Sequence, residues 1–203
     1  MIIIGLTGPS GSGKGEVSAV FERLGCSVIN ADEVYHEILI PPSNCLDELV
    51  ANFGEEILDA SGRLCRPSLS RLVFGEQNKD KLLLLNSIAH RYVVLRINEI
   101  CKDLAAKGTS VCVIDAPLLI EAGISENCDL VISVLADKDV RADRICKRDS
   151  VSIESAYLRI NSQKDDEFYI RGSDKVIYND GALDNLEREV KKIYNESGAL
   201  TDK

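Results

Sequence analysis

The chain has 203 residues, 45% hydrophobic and 28% charged, with a formal net charge of −9. This is the make-up of a folded globular chain that can bury a core without disulfide staples, and its acidic balance argues against a broad nucleic-acid-binding face, which needs a basic surface. Cys26, Cys45, Cys65, Cys101, Cys112, Cys128 and Cys146 are odd in number and nowhere spaced as CxxC, so neither a disulfide framework nor a zinc site is expected and the thiols are read as reduced. No basic leader precedes the first apolar run and no stretch reaches membrane-spanning length, so the expected location is the cytoplasm, with no membrane partner. An anionic small ligand remains admissible, because a few backbone amides and one lysine can hold phosphate on an acidic protein.

In chain order, Ile2 to Leu6 is a continuous apolar run, the pattern of a strand buried on both faces. A glycine-rich loop, Thr7 to Gly13, leads into a helix from Gly15 to Leu24 whose Val17, Val20, Phe21 and Leu24 share one face, with Gly25 as its stop. Ser27 to Asn30 reads as a second strand, completing the opening half of a parallel α/β fold. From Asp32 to about Leu104 the character is helical: Pro41-Pro42 is a break, Leu46 to Phe53 a short amphipathic helix, Asp59 to Gly62 a turn and Pro67 a helix start. Lys79 to Lys107 contains neither glycine nor proline and predicts one long helix. Strands return at Val111 to Asp115, Leu130 to Leu135 and Lys175 to Tyr178. Between the last two, Asp139 to Arg148 and Ile153 to Gln163 predict helices and Lys164 to Asp174 a polar, charged stretch. Leu183 to Tyr194 predicts a closing helix, followed by a frayed tail.

The strongest local signal is Gly8-Pro9-Ser10-Gly11-Ser12-Gly13-Lys14-Gly15, which fits the phosphate-binding pattern GxxxxGK. Glycines let successive N–H groups turn inward around phosphates, the following helix presents its positive end, and Lys14 adds a cation for the β- and γ-phosphates. A merely flexible loop would share the composition, but not the apolar strand before it and the amphipathic helix after it. The pattern usually ends in Ser or Thr, whose hydroxyl ligates Mg²⁺; here Gly15 and Glu16 stand there, a wording similar to the loops of cytidylate and adenylate kinases. Glu16 favours the helix dipole but brings negative charge towards phosphate. Asp32 follows the second strand, at the strand end where parallel sheets place their ligands; it suits a role at an acceptor hydroxyl and a helix N-cap about equally well. Asp115 closes an apolar strand, the usual acidic position near Mg²⁺ in phosphate-loop enzymes. Arg144 and Arg148 lie one helical turn apart and so share a face suited to clamping phosphate, as Arg159 and Gln163 share another.

Taken together, the chain resembles the dephospho-CoA kinase family nearly end to end. The resemblance rests on the phosphate loop, Asn30-Ala31-Asp32, Phe53-Gly54, the Asp59 to Gly62 turn with the following Leu69 to Phe74, and His90-Arg91. It continues through Asp115-Ala116-Pro117-Leu118-Leu119-Ile120-Glu121, Arg144 with Arg148 and Asp149, Arg159 with Gln163, and Asn179-Asp180-Gly181. Gly15-Glu16, Asn30 and Arg91 depart from the family pattern, the first touching metal and nucleotide, the others the acceptor pocket.

The resemblance implies an α/β phosphate-loop kinase with a five-stranded parallel sheet flanked by helices, a helical acceptor-binding insertion and a small lid. The nucleotide-binding core is expected over residues 1–31, 108–148 and 174–203, the insertion over 32–107 and the lid over 149–173. ATP as phosphoryl donor, Mg²⁺ and the small-molecule substrate dephospho-CoA are implied, in a monomer. The implied catalytic residues are Asp32, Lys14 and Arg144. Nucleotide is expected at Ser10, Gly11, Ser12, Gly13, Lys14, Gly15, Glu16, Arg144 and Arg148, acceptor at Asp32, His90, Leu118 and Arg159, and metal at Asp115. A nucleoside monophosphate kinase and a catalytically degenerate nucleotide-binding member are the alternatives, the first suggested by the loop wording, the second by Gly15-Glu16 and Asn30.

Overall fold

The computed structural model describes residues 1–198. The chain divides into two compact units, one formed by Met1–Asn30 with the chain from Lys102 onward, the other by Ala31–Cys101.

The first unit is built on a parallel sheet of β1 (Ile2–Thr7), β2 (Ser27–Asn30), β3 (Val111–Asp115), β4 (Leu130–Leu135) and β5 (Lys175–Tyr178), in the order β2-β3-β1-β4-β5. β1 lies at the centre, with Leu6 level with Asp115 on one side and with Ile132 on the other. In β2, Asn30 is level with Asp115. Because side chains alternate across a strand, Ile2, Ile4 and Leu6 face one side together. There they pack with Val113, Val134 and Ile177 against α1 (Lys14–Arg23) and α9 (Leu183–Gly198), through Val17, Val20, Phe21, Leu186, Val190 and Ile193. Phe21 is fully buried in this layer, and truncating a buried phenylalanine to alanine costs about 3–5 kcal/mol. α9 runs on past the expected end at Tyr194 as far as Gly198, because Ser197 is buried and its hydroxyl donates to Tyr194 O at 2.8 Å; the rest of the expected frayed tail lies outside the described residues.

Three further α-helices of this unit lie between β4 and β5. Asp137 caps α6 (Lys138–Asp149), accepting from Asp139 N–H at 2.9 Å, and Ser152 caps α7 (Ile153–Asn161). The two pack through Ala142, Ile145, Ala156 and Ile160. The stretch after α7, expected to be only polar and charged, contains α8 (Asp166–Arg171). Its start is written in the sequence: Asp165 accepts from Phe168 N–H at 2.9 Å, and Asp166 and Glu167 follow in the first turn, where the helix dipole favours acids. Tyr169 pins the helix inward, and burial pushes its hydroxyl up to about 12.

The second unit is helical, as its sequence predicts. It comprises α2 (Ala31–Glu37), α3 (Asn44–Phe53), α4 (Arg66–Val73) and all but the end of the long α5 (Lys79–Ala106). Ser43 caps α3, and Pro67 sits in the first turn of α4 where its missing N–H is not needed. Its own core gathers Leu39, Cys45, Leu49, Phe53, Ile57, Leu69, Val73 and Ile88.

Candidate active site

The loop between β1 and α1 takes its shape from what lies behind it. Gly11 has φ 81°, and a Cβ there would come within 2.6 Å of Arg141 O; Gly13 has φ 89°, and a Cβ there would overlap the Asn179 amide. Both positions therefore require glycine twice over, for conformation and for space. α1 then begins at Lys14, and the N–H groups of its first turn point back towards the loop, Glu16 N–H closing onto Gly13 O at 3.0 Å. They carry the positive end of the helix dipole towards the loop. Ser12 Oγ is buried with no hydrogen-bond partner among the described residues, a polar group that a bound ligand can complete.

At the C-terminal end of β3, Asp115 is nearly buried. One carboxylate oxygen pairs with Lys14 Nζ; the other accepts from the buried Ser18 hydroxyl at 2.5 Å. Ser18 was not singled out by sequence, although it lies one helical turn after Lys14 and so faces the same way. Gly15, where a hydroxyl usually stands, has open space around the Cβ position. Glu16 is exposed, and its Oε2 accepts from Asn179 Nδ2 at 3.2 Å. The same amide donates to Ser12 O at 2.9 Å.

The outer side of the loop is lined by α6. Arg144 donates to Gly11 O at 3.3 Å and Ser12 O at 3.2 Å, and to Asn179 O at 3.0 Å. Arg148 donates to Ser10 Oγ at 3.3 Å and pairs with Asp149, which also holds Arg159. Arg148 first, then Arg159, keep the Asp149 carboxyl well below the usual carboxylate range. Arg141, which sequence reasoning passed over, is only 2% exposed; it donates from Nε to Ser10 O and from Nη2 to Gln163 Oε1, each at 3.0 Å. Its 141-144-148 spacing with the other two arginines was the available signal. Burial pulls the Arg141 guanidinium below its ordinary range, opposed by the Asp166 carboxylate 3.9 Å away.

Arg159 and Gln163 do not share a helical face as expected. α7 ends at Asn161, and Gln163 N–H closes a tighter turn onto Ile160 O. The chain turns there, so Gln163 reaches Ser10 while Arg159 reaches Asp149. Leu118, in the turn after β3, is 49% exposed.

The structure thus brings together Ser10 to Glu16, Asp115, Arg144 and Arg148. Asp32 and His90 belong to the other compact unit, Asp32 in the first turn of α2 and His90 half-buried on α5. There too Arg91 pairs with Glu48, which also accepts from Tyr92 Oη at 2.8 Å. These two donors, Tyr92 first, hold the Glu48 carboxyl below its ordinary value.

A family model described as dephospho-CoA kinase matches residues 2–185. A curated dephospho-CoA kinase of Fusobacterium nucleatum is 37% identical over 95% of this chain and 97% of its own length, and one of Carboxydothermus hydrogenoformans is 35% identical over 94% and 92%. Among solved structures, a Thermus thermophilus protein superposes with a TM-score of 0.77 at 30% identity, covering 96% of this chain and 97% of its own. Dephospho-CoA kinase from Campylobacter jejuni gives 0.70 at 27%, covering 96% of each. A shikimate kinase from Acinetobacter baumannii, 14% identical with a TM-score of 0.52, shares the fold alone over 97% of this chain and 94% of its own. With a glycine-shaped phosphate loop, a lysine and a buried aspartate meeting at its edge, and a family match over nearly its whole length, the chain belongs to the dephospho-CoA kinase family.

Proposed function

We propose that this chain transfers the γ-phosphoryl group of ATP to the ribose 3′-hydroxyl of dephospho-CoA, giving CoA and ADP, and that it does so as a cytoplasmic monomer. The observation that carries the reading is the Lys14–Asp115–Ser18 cluster beside a phosphate loop, in a chain whose family match is nearly continuous. Seven free thiols suit a reducing compartment, and no helix among the described residues is long and apolar enough to cross a membrane.

Phosphoryl transfer asks the protein mainly for position and charge. The loop N–H groups hold the phosphate oxygens, and Lys14 follows the β- and γ-phosphates as negative charge redistributes. Arg144 serves from behind the loop: by holding the Gly11 and Ser12 carbonyls it fixes the orientation of those two peptides. Asp32 accepts the proton of the attacking 3′-hydroxyl, or orients it. Arg148 and Arg159, joined through Asp149, add positive charge on the lid side. His90 and Leu118 contact the acceptor.

Mg²⁺ binds typically through one or two carboxylates, substrate phosphates and retained water. One nearly buried carboxylate with a neighbouring hydroxyl fits that donor set, so Asp115 and Ser18 are the residues that would hold it. The ion would supply positive charge to offset the negative charge of the transferring phosphoryl group.

The test is ADP release from Mg-ATP with dephospho-CoA, CMP, AMP or no acceptor supplied in parallel. Turnover with dephospho-CoA alone is expected. Turnover with CMP or AMP instead would move the assignment to the monophosphate kinases, and silence with every acceptor from protein that binds ATP would make it a non-catalytic member.

A further inference from the structure

Ser10, in the phosphate loop, is tied at its N–H, carbonyl and hydroxyl to the chain that follows β4. Its N–H donates to Gln163 Oε1 at 3.1 Å, its carbonyl accepts from Arg141 Nε at 3.0 Å, and its hydroxyl accepts from Arg148 Nη2 at 3.3 Å. Gln163 Oε1 also accepts from Arg141 Nη2 at 3.0 Å. One amide oxygen of the segment after α7 is thus shared between the loop backbone and a buried guanidinium, and that guanidinium returns to the same residue, at the carbonyl of its following peptide. A planar guanidinium with donors fixed in a fork is suited to such a closed arrangement.

The environment makes the arrangement hard to replace. Arg141 is 2% exposed, while the carboxylate nearest to it, Asp166, is half exposed and 3.9 Å away. Its polar contacts therefore fall chiefly on Ser10 and Gln163, because a buried cation stays ionised only where hydrogen bonds meet it. Gln163 lies outside the GxxxxGK motif and the transfer chemistry gives it no role, yet it is half-buried and its side chain is turned onto the loop.

We propose that Gln163 and Arg141 are positioning residues for nucleotide binding, a latch that fixes the two peptide groups on either side of Ser10 and with them the direction of the loop N–H groups that meet phosphate. Because Ser10 N–H and Arg141 Nη2 share the Gln163 amide oxygen, the latch ties the loop to the segment that follows Arg159. The proposal rests on the reading of this loop as an ATP site.

The experiment is titration of the intact protein with Mg-ATP by calorimetry, for Gln163→Leu, Arg141→Lys and the double variant, alongside thermal unfolding and steady-state kinetics with dephospho-CoA. Gln163→Leu is expected to raise the ATP Kd about tenfold, the range for a lost hydrogen bond to a charged partner, with the acceptor KM within about twofold. Arg141→Lys is expected to weaken ATP in the same direction. The double variant is expected to be no weaker than the weaker single one, since both act through Ser10 and are hydrogen-bonded to each other. A lowered Tm with unchanged ATP Kd in Gln163→Leu would overturn the proposal and leave a purely structural contact; so would fully additive losses in the double variant. Should Arg141→Lys fail to fold, Gln163→Leu alone decides. Absence of turnover with dephospho-CoA, with ATP binding intact, would sink the acceptor assignment and leave the latch standing.

Discussion

Replacing Ser18 by alanine removes one donor from Asp115 and nothing else of size. Ser18 is 7% exposed and Asp115 6%, so water has little access to take the donor's place. A hydrogen bond to an ionised group contributes about 1.5–3 kcal/mol. Lys14 keeps the other carboxylate oxygen, which places the expected loss near the middle, at about 2 kcal/mol. In urea unfolding without nucleotide, against a slope on the order of 2 kcal/mol per molar, this moves the midpoint down by roughly 1 M. The slope itself should not change, because the substitution alters no exposed area. Ser18→Cys, with a weaker donor of similar size, should fall between the two. In turnover assays the alanine variant should also need more Mg²⁺ for half-maximal rate, since the carboxylate that would hold it is less firmly placed. A midpoint shift under about 0.2 M at unchanged slope, with the same Mg²⁺ dependence, would refute the view that Ser18 organises Asp115.

Gly15 has open space where a side chain would stand, so Gly15→Ser should fold normally, gain the helix preference of serine over glycine, a few tenths of a kcal/mol, and lower the Mg²⁺ needed for half-maximal rate; a requirement that rises would show that the open space serves another purpose. Asp32→Asn should lower kcat by roughly 100-fold or more while ATP binding by calorimetry stays within about twofold, and near-normal turnover would remove Asp32 from the chemistry. Burial pushes the Cys26 and Cys45 thiols up to about 11 from 9.0. Above pH 9 the unfolded chain loses these protons and the folded chain keeps them, so stability falls between pH 9 and about 11 by about 2 kcal/mol per thiol. Denaturant midpoints of Cys26→Ala and Cys45→Ala that show the same alkaline decline as the unsubstituted chain would contradict this.

Much of the first unit could be read in the sequence because its signals are local. β1, β2, β3, β4 and β5 are short apolar runs bounded by turn residues, and the phosphate loop is a motif whose glycines have a steric reason at each end. Asp115 could be found from its place at the end of a strand. Ser18 and Arg141 could not, because their importance comes from what lies across the fold: a carboxylate 97 residues on and a carbonyl 131 residues back. Asn179 was seen only as a family match; its amide closes on Ser12 O and Glu16 because β5 delivers it there. α8 was missed because a six-residue helix shows little periodicity, although its cap was legible. The turn that separates Gln163 from Arg159 was missed for a related reason: i, i+4 spacing implies a common face only while the helix lasts.

The inward arginines also bear on how quickly a nucleotide is captured. Arg141 and Arg144 keep their charge while they bond loop carbonyls and an amide, but at a distance they count only within a total of −9, and the chain meets an incoming polyphosphate first as a repulsive body. Attraction begins only within about 10 Å at moderate salt. Raising ionic strength should therefore speed association by screening the approach, while it speeds dissociation by weakening the grip, and the equilibrium constant alone would conceal both changes.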